Sequence, residues 1–327
     1  MDREDRNRLC AVAADSLLHT PGAGKLVAIW AGVAAAAALL TSLFTLLLET
    51  QISDTGGLAG MELRSFLSTA QLALGLFTSI ALPFWALGHT AACLEISRTQ
   101  TARLSTLTEG FRRFGPALRF FLLQTVIYVV LAIVSLNISS ILFSFTPFAG
   151  QAMNLMLPLM ENPTGTGDPM ADAALLGSAT EAIIPAIGMW GVVFMVLCIP
   201  TFYRLRLVQL RLVDAPACGA LAALFFSIQH MRHNCIRLFL LDLRFWWFYL
   251  GELAVVVLCY GDILLPMLGI SLPMDSQVGA MVFYVVSILA QAGLYILAKN
   301  RLAVTYAGFY DRVTGQNAPQ KIIEIQE

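Results

Sequence analysis

Three ionisable residues, Asp242, Arg244 and Glu252, interrupt a stretch that is otherwise long and apolar enough to cross a bilayer, Cys235 to Ile270. Charge at membrane depth is costly, so such groups face protein or water and mark the inside of a helix bundle. Two chemistries fit them. One is an ion or proton pathway, with Glu252 as the buried titrating group and Arg244 as its counter-charge. The other is a structural hydrogen-bond network, to which Gln71, Gln124, Asn137 and Gln291 in other spans would contribute. Asp242 and Arg244 stand two apart and point to different faces of one helix, because only three- or four-residue spacings face each other. Both can also sit near the inner headgroups, where long side chains snorkel. Glu252 is the one placed deep. The candidate intramembrane polar site is therefore Asp242, Arg244, Glu252, Gln124 and Gln291.

Other chemistry-bearing patterns have simpler readings. His230 and His233 share a helical face and Cys235 follows, but no second His pair or HExxH frame accompanies them. Beside Arg232 and Arg237 they suit a basic interfacial helix on anionic lipid. Met153, Met156, Met160 and Met170 carry thioethers of the kind that take Cu(I). With Leu155, Leu157 and Leu159 between them, apolar packing along the outer interface explains them better. Gly24-Lys25 lacks the earlier glycine of a phosphate loop (His19 stands there), and Leu26 replaces its Ser or Thr. Asp168, Asp172 and Glu181 read as a solvated loop. No hydrolase elbow, paired carboxylates or dinucleotide fingerprint occurs. The expectation is no catalytic residue, no metal, no cofactor and no enzyme.

The elements that must position these residues follow from composition. The chain is 58% hydrophobic and 13% charged, with a mean hydropathy of +0.74, whereas soluble domains carry about 25% charge. A span of roughly 20 apolar residues crosses the hydrocarbon core. Six such spans are predicted, at about 26–48, 66–94, 118–146, 182–210, 236–268 and 277–306.

The net charge of −1 says little, but its distribution is asymmetric. Every Lys and Arg except Arg64 falls on one side of a six-span topology, while Glu49, Asp54, Glu62, Glu161, Asp262 and Asp275 fall on the other. The positive-inside rule then predicts both termini in the cytoplasm of an inner-membrane protein. Arg112, Arg113, Arg119, Arg204, Arg206, Arg232 and Arg237 are the expected contacts to lipid headgroups. The partners implied are the lipid bilayer, with room for other membrane proteins and no role for nucleic acid. No cysteine lies in an outer loop, so no external disulfide is expected.

Residues 1–25 form a polar cytoplasmic tail on this reading, 26–313 the membrane domain, and 314–327 a short polar cytoplasmic tail. The run Leu26 to Leu48 exceeds the apolar core of a signal peptide. Spans two and four continue past the membrane, through Glu95 and Arg98 and through Arg204, Arg206 and Arg211. Each precedes a segment with helical apolar spacing: Leu104, Leu107, Phe111 and Phe114 in one, Leu221, Leu224, Phe225, Ile228 and Met231 in the other. These predict two amphipathic helices in the inner interface. The hairpins 83–146 and 200–268 align Arg119-Phe-Phe-Leu-Leu-Gln124 with Arg237-Leu-Phe-Leu-Leu-Asp242, a pattern open to reading as an internal repeat or as coincidence among apolar residues. The fold class is all-α, a polytopic membrane protein of six transmembrane helices with cytoplasmic extensions and two interfacial amphipathic helices.

Several stretches together resemble a known family. They are Tyr-Arg-Leu-Arg-Leu-Val-Gln-Leu-Arg-Leu-Val-Asp-Ala-Pro from Tyr203, Ser227-Ile-Gln-His-Met231, Arg237-Leu-Phe-Leu-Leu-Asp-Leu-Arg-Phe245, Glu109-Gly-Phe-Arg-Arg-Phe and Phe309-Tyr310. They resemble the bacterial integral-membrane family called domain of unknown function 975, which is akin to the membrane part of glycerophosphodiester phosphodiesterases. The likeness covers roughly 85–313, about two thirds of the chain. Arg244-Phe-Trp-Trp-Phe248 departs from the family's Ser-Phe-Ile-Gly-Trp. The resemblance implies membrane location and fold, and assigns no catalytic residue. Two functional classes stand: a non-catalytic membrane or envelope component, and a small-molecule or ion transporter centred on Glu252.

Overall fold

Lipid cannot hydrogen-bond a peptide group, so an apolar chain in a bilayer must satisfy its own backbone. Helix is the solution adopted by nearly all the described residues. The computed structural model describes residues 3–54, 58–150, 153–154, 169–261 and 276–315, and among them there is no strand. The helices are α1 (Arg3–His19), α2 (Ala23–Asp54), α3 (Leu58–Thr99), α4 (Glu109–Arg112), α5 (Phe114–Ser144), α6 (Pro169–Leu205), α7 (Val208–Asp214), α8 (Ala220–Met231), α9 (Cys235–Asp242), α10 (Trp246–Cys259), α11 (Ser276–Leu294) and α12 (Asn300–Thr314). Met156, Met160, Asp168, Asp262, Asp275, the end of the fifth predicted span beyond Gly261 and the tail beyond Gly315 lie outside the described residues.

Five helical stretches among the described residues are long and apolar enough to cross a membrane: Ala23–Phe44, Ser65–Thr99, Phe114–Ser144, Ile184–Asp214 and Met281–Thr314. Their outward faces carry large apolar side chains at helical spacing, among them Leu72, Leu76 and Ile80, Val126, Val130 and Ile133, and Val192, Val196 and Ile199. An apolar surface this extensive is not tolerated in water, so the chain is a multi-pass membrane protein. Hydroxyls within the spans turn back on their own helix, as Thr41 does to the Ala37 carbonyl, Thr78 to Leu74 and Thr90 to Ala86. That local bond makes a Ser or Thr cheap in lipid. Pro83 in α3 and Pro185 and Pro200 in α6 lie inside their helices, a placement that membrane helices tolerate.

The fifth predicted span has a different form. Over its described part, α9 gives way to a 3-10 turn at Leu243–Phe245 before α10 begins. The described portion is thus two short helices joined by a tight turn. The sixth predicted span is continuous, but a π-helical turn at Tyr295–Lys299 separates α11 from α12. The fourth predicted span begins earlier than residue 182: α6 starts at Pro169, so Asp172 and Glu181, read from sequence as loop, lie on a helix.

Two compact units emerge, Met1–Leu118 with Arg206–Glu327, and Arg119–Leu205. In the second, the Trp190 indole N–H reaches the Ala132 carbonyl (3.5 Å), and Ser135 and Ser139, one helical turn apart on α5, are buried. Within the first, the buried core lies at the end of the spans that carries the basic residues. Leu26, Trp30, Ala31, Ala92 and Leu107 form one cluster, and Ala13, Ala23, Cys93, Ile96 and Val304 another. α3 accounts for this placement. Its 42 residues extend about 63 Å at 1.5 Å per residue, twice the hydrocarbon thickness of about 30 Å. The surplus length is where other helices gather.

The N-terminal segment, read from sequence as a polar tail, is the helix α1, folded back on α12 and α3. Ala13 and Leu17 pack beside Val304, and the Leu9 side chain lies against Gly308. Gly22, at φ +87°, makes the tight turn into α2. The first segment predicted as an amphipathic interfacial helix is a 3-10 turn, Leu104–Thr108, followed by the single turn of α4. Its backbone is pressed onto α3. A Cβ at Gly88 would lie 1.9 Å from the Leu107 carbonyl oxygen, and one at Gly110 1.9 Å from that of Phe84. The second, α8, is a helix, but its buried side is Ala220, Ala223, Leu224, Ser227 and Met231, whereas Leu221, Phe225 and Ile228 are exposed. The small residues point inward because they let α7 and α8 approach.

Gly88→Ala and Gly110→Ala should each lower stability by about 3 kcal/mol, since the facing backbone must move to admit the methyl group. Gly75→Ala, which meets open space, should be neutral or stabilise by up to about 1 kcal/mol. Thermal unfolding in detergent micelles checks this; equal midpoints for all three would contradict so close an approach.

Candidate functional site

Three polar clusters stand out among the described residues of the first unit. The largest joins α3, α7 and α12. Arg98, near the C-terminus of α3, donates through Nη2 to Asp311 Oδ1 (2.6 Å), through Nε to the same oxygen (3.1 Å), and through Nη1 to Asp214 Oδ1 (2.5 Å). The side chains of Asp311 and Asp214 are only 3% and 8% exposed. The Tyr310 hydroxyl donates to the other Asp214 oxygen (2.8 Å), and Arg211 lies 3.9 Å from it while stacking on the Phe226 ring. The Arg113 guanidinium donates to the carbonyls of Leu212 and Val213 at the end of α7, where positive charge also complements the helix dipole. One guanidinium fork thus ties two buried carboxylates on separate helices, the geometry in which Arg is strongest.

The second place is around Asp242. The Tyr306 hydroxyl of α12 donates to its buried carboxylate, Tyr249 lies 3.3 Å from the same hydroxyl, and Arg206 stacks 4.4 Å over the Tyr306 ring. The third is an aromatic box at the π turn. Asn300 donates through Nδ2 to the Tyr295 carbonyl (2.9 Å) and the Ile296 carbonyl (3.3 Å) of that turn. Its amide nitrogen is thereby engaged, so Oδ1 accepts from His89 Nε2–H (2.6 Å), which assigns the proton on the ring. His89 stacks on Trp30 at 4.0 Å, and the Lys299 ammonium sits 3.7 Å over Tyr295 and 5.2 Å from Trp30. Cation–π contact of this kind holds a charge that is partly out of water. The Trp30 indole N–H is buried without an acceptor among the described residues.

The sequence-predicted site residues divide among these places. Asp242 is a buried acceptor, and tyrosine hydroxyls serve it. Arg244 is exposed on the opposite side of the 3-10 turn. Glu252 is half-buried and feels the Lys299 ammonium, on a different helix from the counter-charge expected for it. Gln291 donates to the Tyr295 hydroxyl (3.0 Å) at the edge of the aromatic box. Gln124 belongs to the unit Arg119–Leu205 and is half-buried there.

Of the arginines predicted to meet headgroups, Arg119, Arg204, Arg232 and Arg237 are exposed, and Arg112 is exposed with Glu109 at 2.8 Å. Arg113 and Arg206 instead turn inward onto carbonyls and an aromatic ring. His230 and Cys235 spend their polar atoms on carbonyls one turn back, Phe226 and Met231, and His233 is exposed. Burial raises the Cys10 thiol above its ordinary value, offset in part by Arg244, as suits a packing residue rather than a nucleophile.

Sequence reasoning missed the Arg98 network and the His89–Asn300 pair. A single signal was available for both: Arg98, Asp311 and Asn300 sit among apolar residues at helical spacing, so burial of their face was inferable although their partners were not. No protein-family model, curated protein or solved structure matches this chain.

Tyr306→Phe keeps the ring under Arg206 and removes only the hydroxyl that serves Asp242. It should cost about 1–3 kcal/mol, the range for depriving a buried acceptor of a donor. Tyr249→Phe, which removes a hydroxyl shared between Tyr306 and Asp242 while leaving the Tyr306 donor in place, should cost less, about 1 kcal/mol. Unfolding of both variants in the same detergent tests the order; a larger loss for Tyr249→Phe would contradict it.

Proposed function

We propose that this chain is a six-span inner-membrane protein with both termini in the cytoplasm, acting as a non-catalytic membrane or envelope component through the helices gathered at its basic end. The observation that carries this reading is how the buried charges are used. Arg98, Asp214 and Asp311 are bonded to one another across three helices, an arrangement that builds a rigid platform rather than a reactive site. The resemblance to the domain of unknown function 975 family supports it, because Asp214, Asp242 and Tyr310, all within the similar stretches, are groups on which the polar contacts converge. The exposed apolar faces of α8 (Leu221, Phe225, Ile228) and of α9 and α10 (Ile236, Leu243, Trp246, Trp247) suit the inner lipid interface, where aromatic side chains concentrate.

A second reading, a small-molecule or ion transporter, is favoured by one observation. Glu252 is half-buried on α10, and α11, which packs against α10, ends in a π-helical turn, a feature frequent at functional sites.

Two measurements separate these readings. A tag inserted near Thr166 should be accessible to a membrane-impermeant reagent from outside the cell, and one after Gly315 only after permeabilisation; the reverse pattern would refute the orientation. Glu252→Gln should leave membrane abundance within about twofold of the parent. On the first reading it leaves growth and ion or solute fluxes unchanged, whereas a lost flux at normal abundance would establish transport.

A further inference from the structure

A pocket of about 320 Å³ opens between the start of α9 and the end of α12, lined by Asn234, Arg237, Phe309, Arg312 and Val313. We propose that it binds a phosphate group, whether free or as a phospholipid headgroup. This goes beyond the role in membrane packing and does not depend on it.

The lining is polar where it counts. Two guanidiniums enter from different helices, and each is held by one bond. Arg237 Nη1 donates to Asn234 Oδ1 (3.1 Å), and Arg312 Nη2 donates to Asp5 Oδ1 of α1 (2.8 Å). A guanidinium has five N–H donors in a planar fork. Each arginine is therefore oriented by a neighbour and keeps donors for a ligand. Asp5 offsets part of the charge, leaving the three ionised groups with a net positive charge. The Asn234 side chain does not cap α9, since its amide goes to the His230 carbonyl (2.8 Å) and its oxygen to Arg237. The α9 N-terminus adds its partial positive charge to theirs. Phe309, fully buried beneath, gives the pocket an apolar floor.

The chemistry selects phosphate among anions. Two forks converging from separate helices match a tetrahedral group with acceptor oxygens pointing several ways, whereas a planar carboxylate is satisfied by one fork. Both arginines lie at the basic end, where headgroup phosphate and soluble phosphate are each within reach.

The test uses the full chain purified in detergent, with inorganic phosphate titrated by calorimetry at low ionic strength. In parallel, the chain in phosphatidylcholine nanodiscs with or without phosphatidylglycerol is assayed for anionic lipid retained. Arg237→Gln and Arg312→Gln are compared with Arg103→Gln, an exposed arginine elsewhere. Phosphate binding that weakens about tenfold or more in each pocket variant and not in Arg103→Gln supports the proposal with a free phosphate as ligand. No phosphate binding, but selective retention of phosphatidylglycerol that the pocket variants lose and Arg103→Gln keeps, supports it with a lipid headgroup as ligand. Neither effect, or equal losses in Arg103→Gln, overturns it. Should Arg312→Gln unfold the chain by releasing α1, Arg237→Gln decides alone, because Arg237 is exposed and its bond stays within its own helical turn. Arg237→Lys, which keeps the charge and loses the fork, should fall between parent and Arg237→Gln.

Discussion

One guanidinium shared by two buried carboxylates governs the first unit. Removing two aspartates from water is expensive, and each ion requires good geometry and additional hydrogen bonds to offset the loss. Arg98 supplies two donors to Asp311 and one to Asp214, and Tyr310 supplies the latter's second bond. Because these residues sit on α3, α7 and α12, none of the three helices can rotate without leaving a buried charge unpaired. Packing then fills in around them: α1 lies on α12, the 3-10 turn and α4 press on α3 through Gly88 and Gly110, and α8 covers α7 with its small residues.

A membrane explains why the clamp sits at one end. Between helices in lipid there is no hydrophobic driving force, since the tails are as apolar as leucine. The outward faces of the spans can remain covered in Leu, Val and Ile because lipid receives them. Beyond the hydrocarbon the helices enter water, and there burial of apolar surface and charge pairing both favour assembly. The extra length of α3 and of the α11–α12 rod carries them into that region. Polar groups on the apolar helices find partners within the fold: His89 bonds to Asn300, Asn300 to carbonyls of the π turn and Gln291 to the Tyr295 hydroxyl, and Lys299 rests on aromatic faces.

Much of the fold was legible from residue type alone. Length and apolarity located the stretches that form α2, α3, α5, α6 and the α11–α12 rod, and α3 continues as helix through Glu95 and Arg98. What was not legible depends on tertiary contact. Arg98 meets residues 116 and 213 positions away, and no spacing rule spans such distances. Glu252 was matched with Arg244 on the same span, yet Arg244 is exposed, and the charge Glu252 feels is Lys299 of the π turn. Residues 104–114 carried helical apolar spacing, but two glycine contacts with backbone held them in a tighter form. The polar N-terminal segment looked like a tail because its buried face consists of Ala13 and Ser16, residues too small to produce an apolar signal.

A double-mutant cycle on Arg98 and Asp311 tests the account most directly. Unfolding free energies are measured in one detergent for the parent, Arg98→Gln, Asp311→Asn and the pair. If the guanidinium holds the helices together, each single change costs about 3 kcal/mol or more, and the double change costs less than the sum by at least about 2 kcal/mol. Additivity within about 0.5 kcal/mol would mean that the two side chains act independently, and the clamp would not be what organises this end of the molecule.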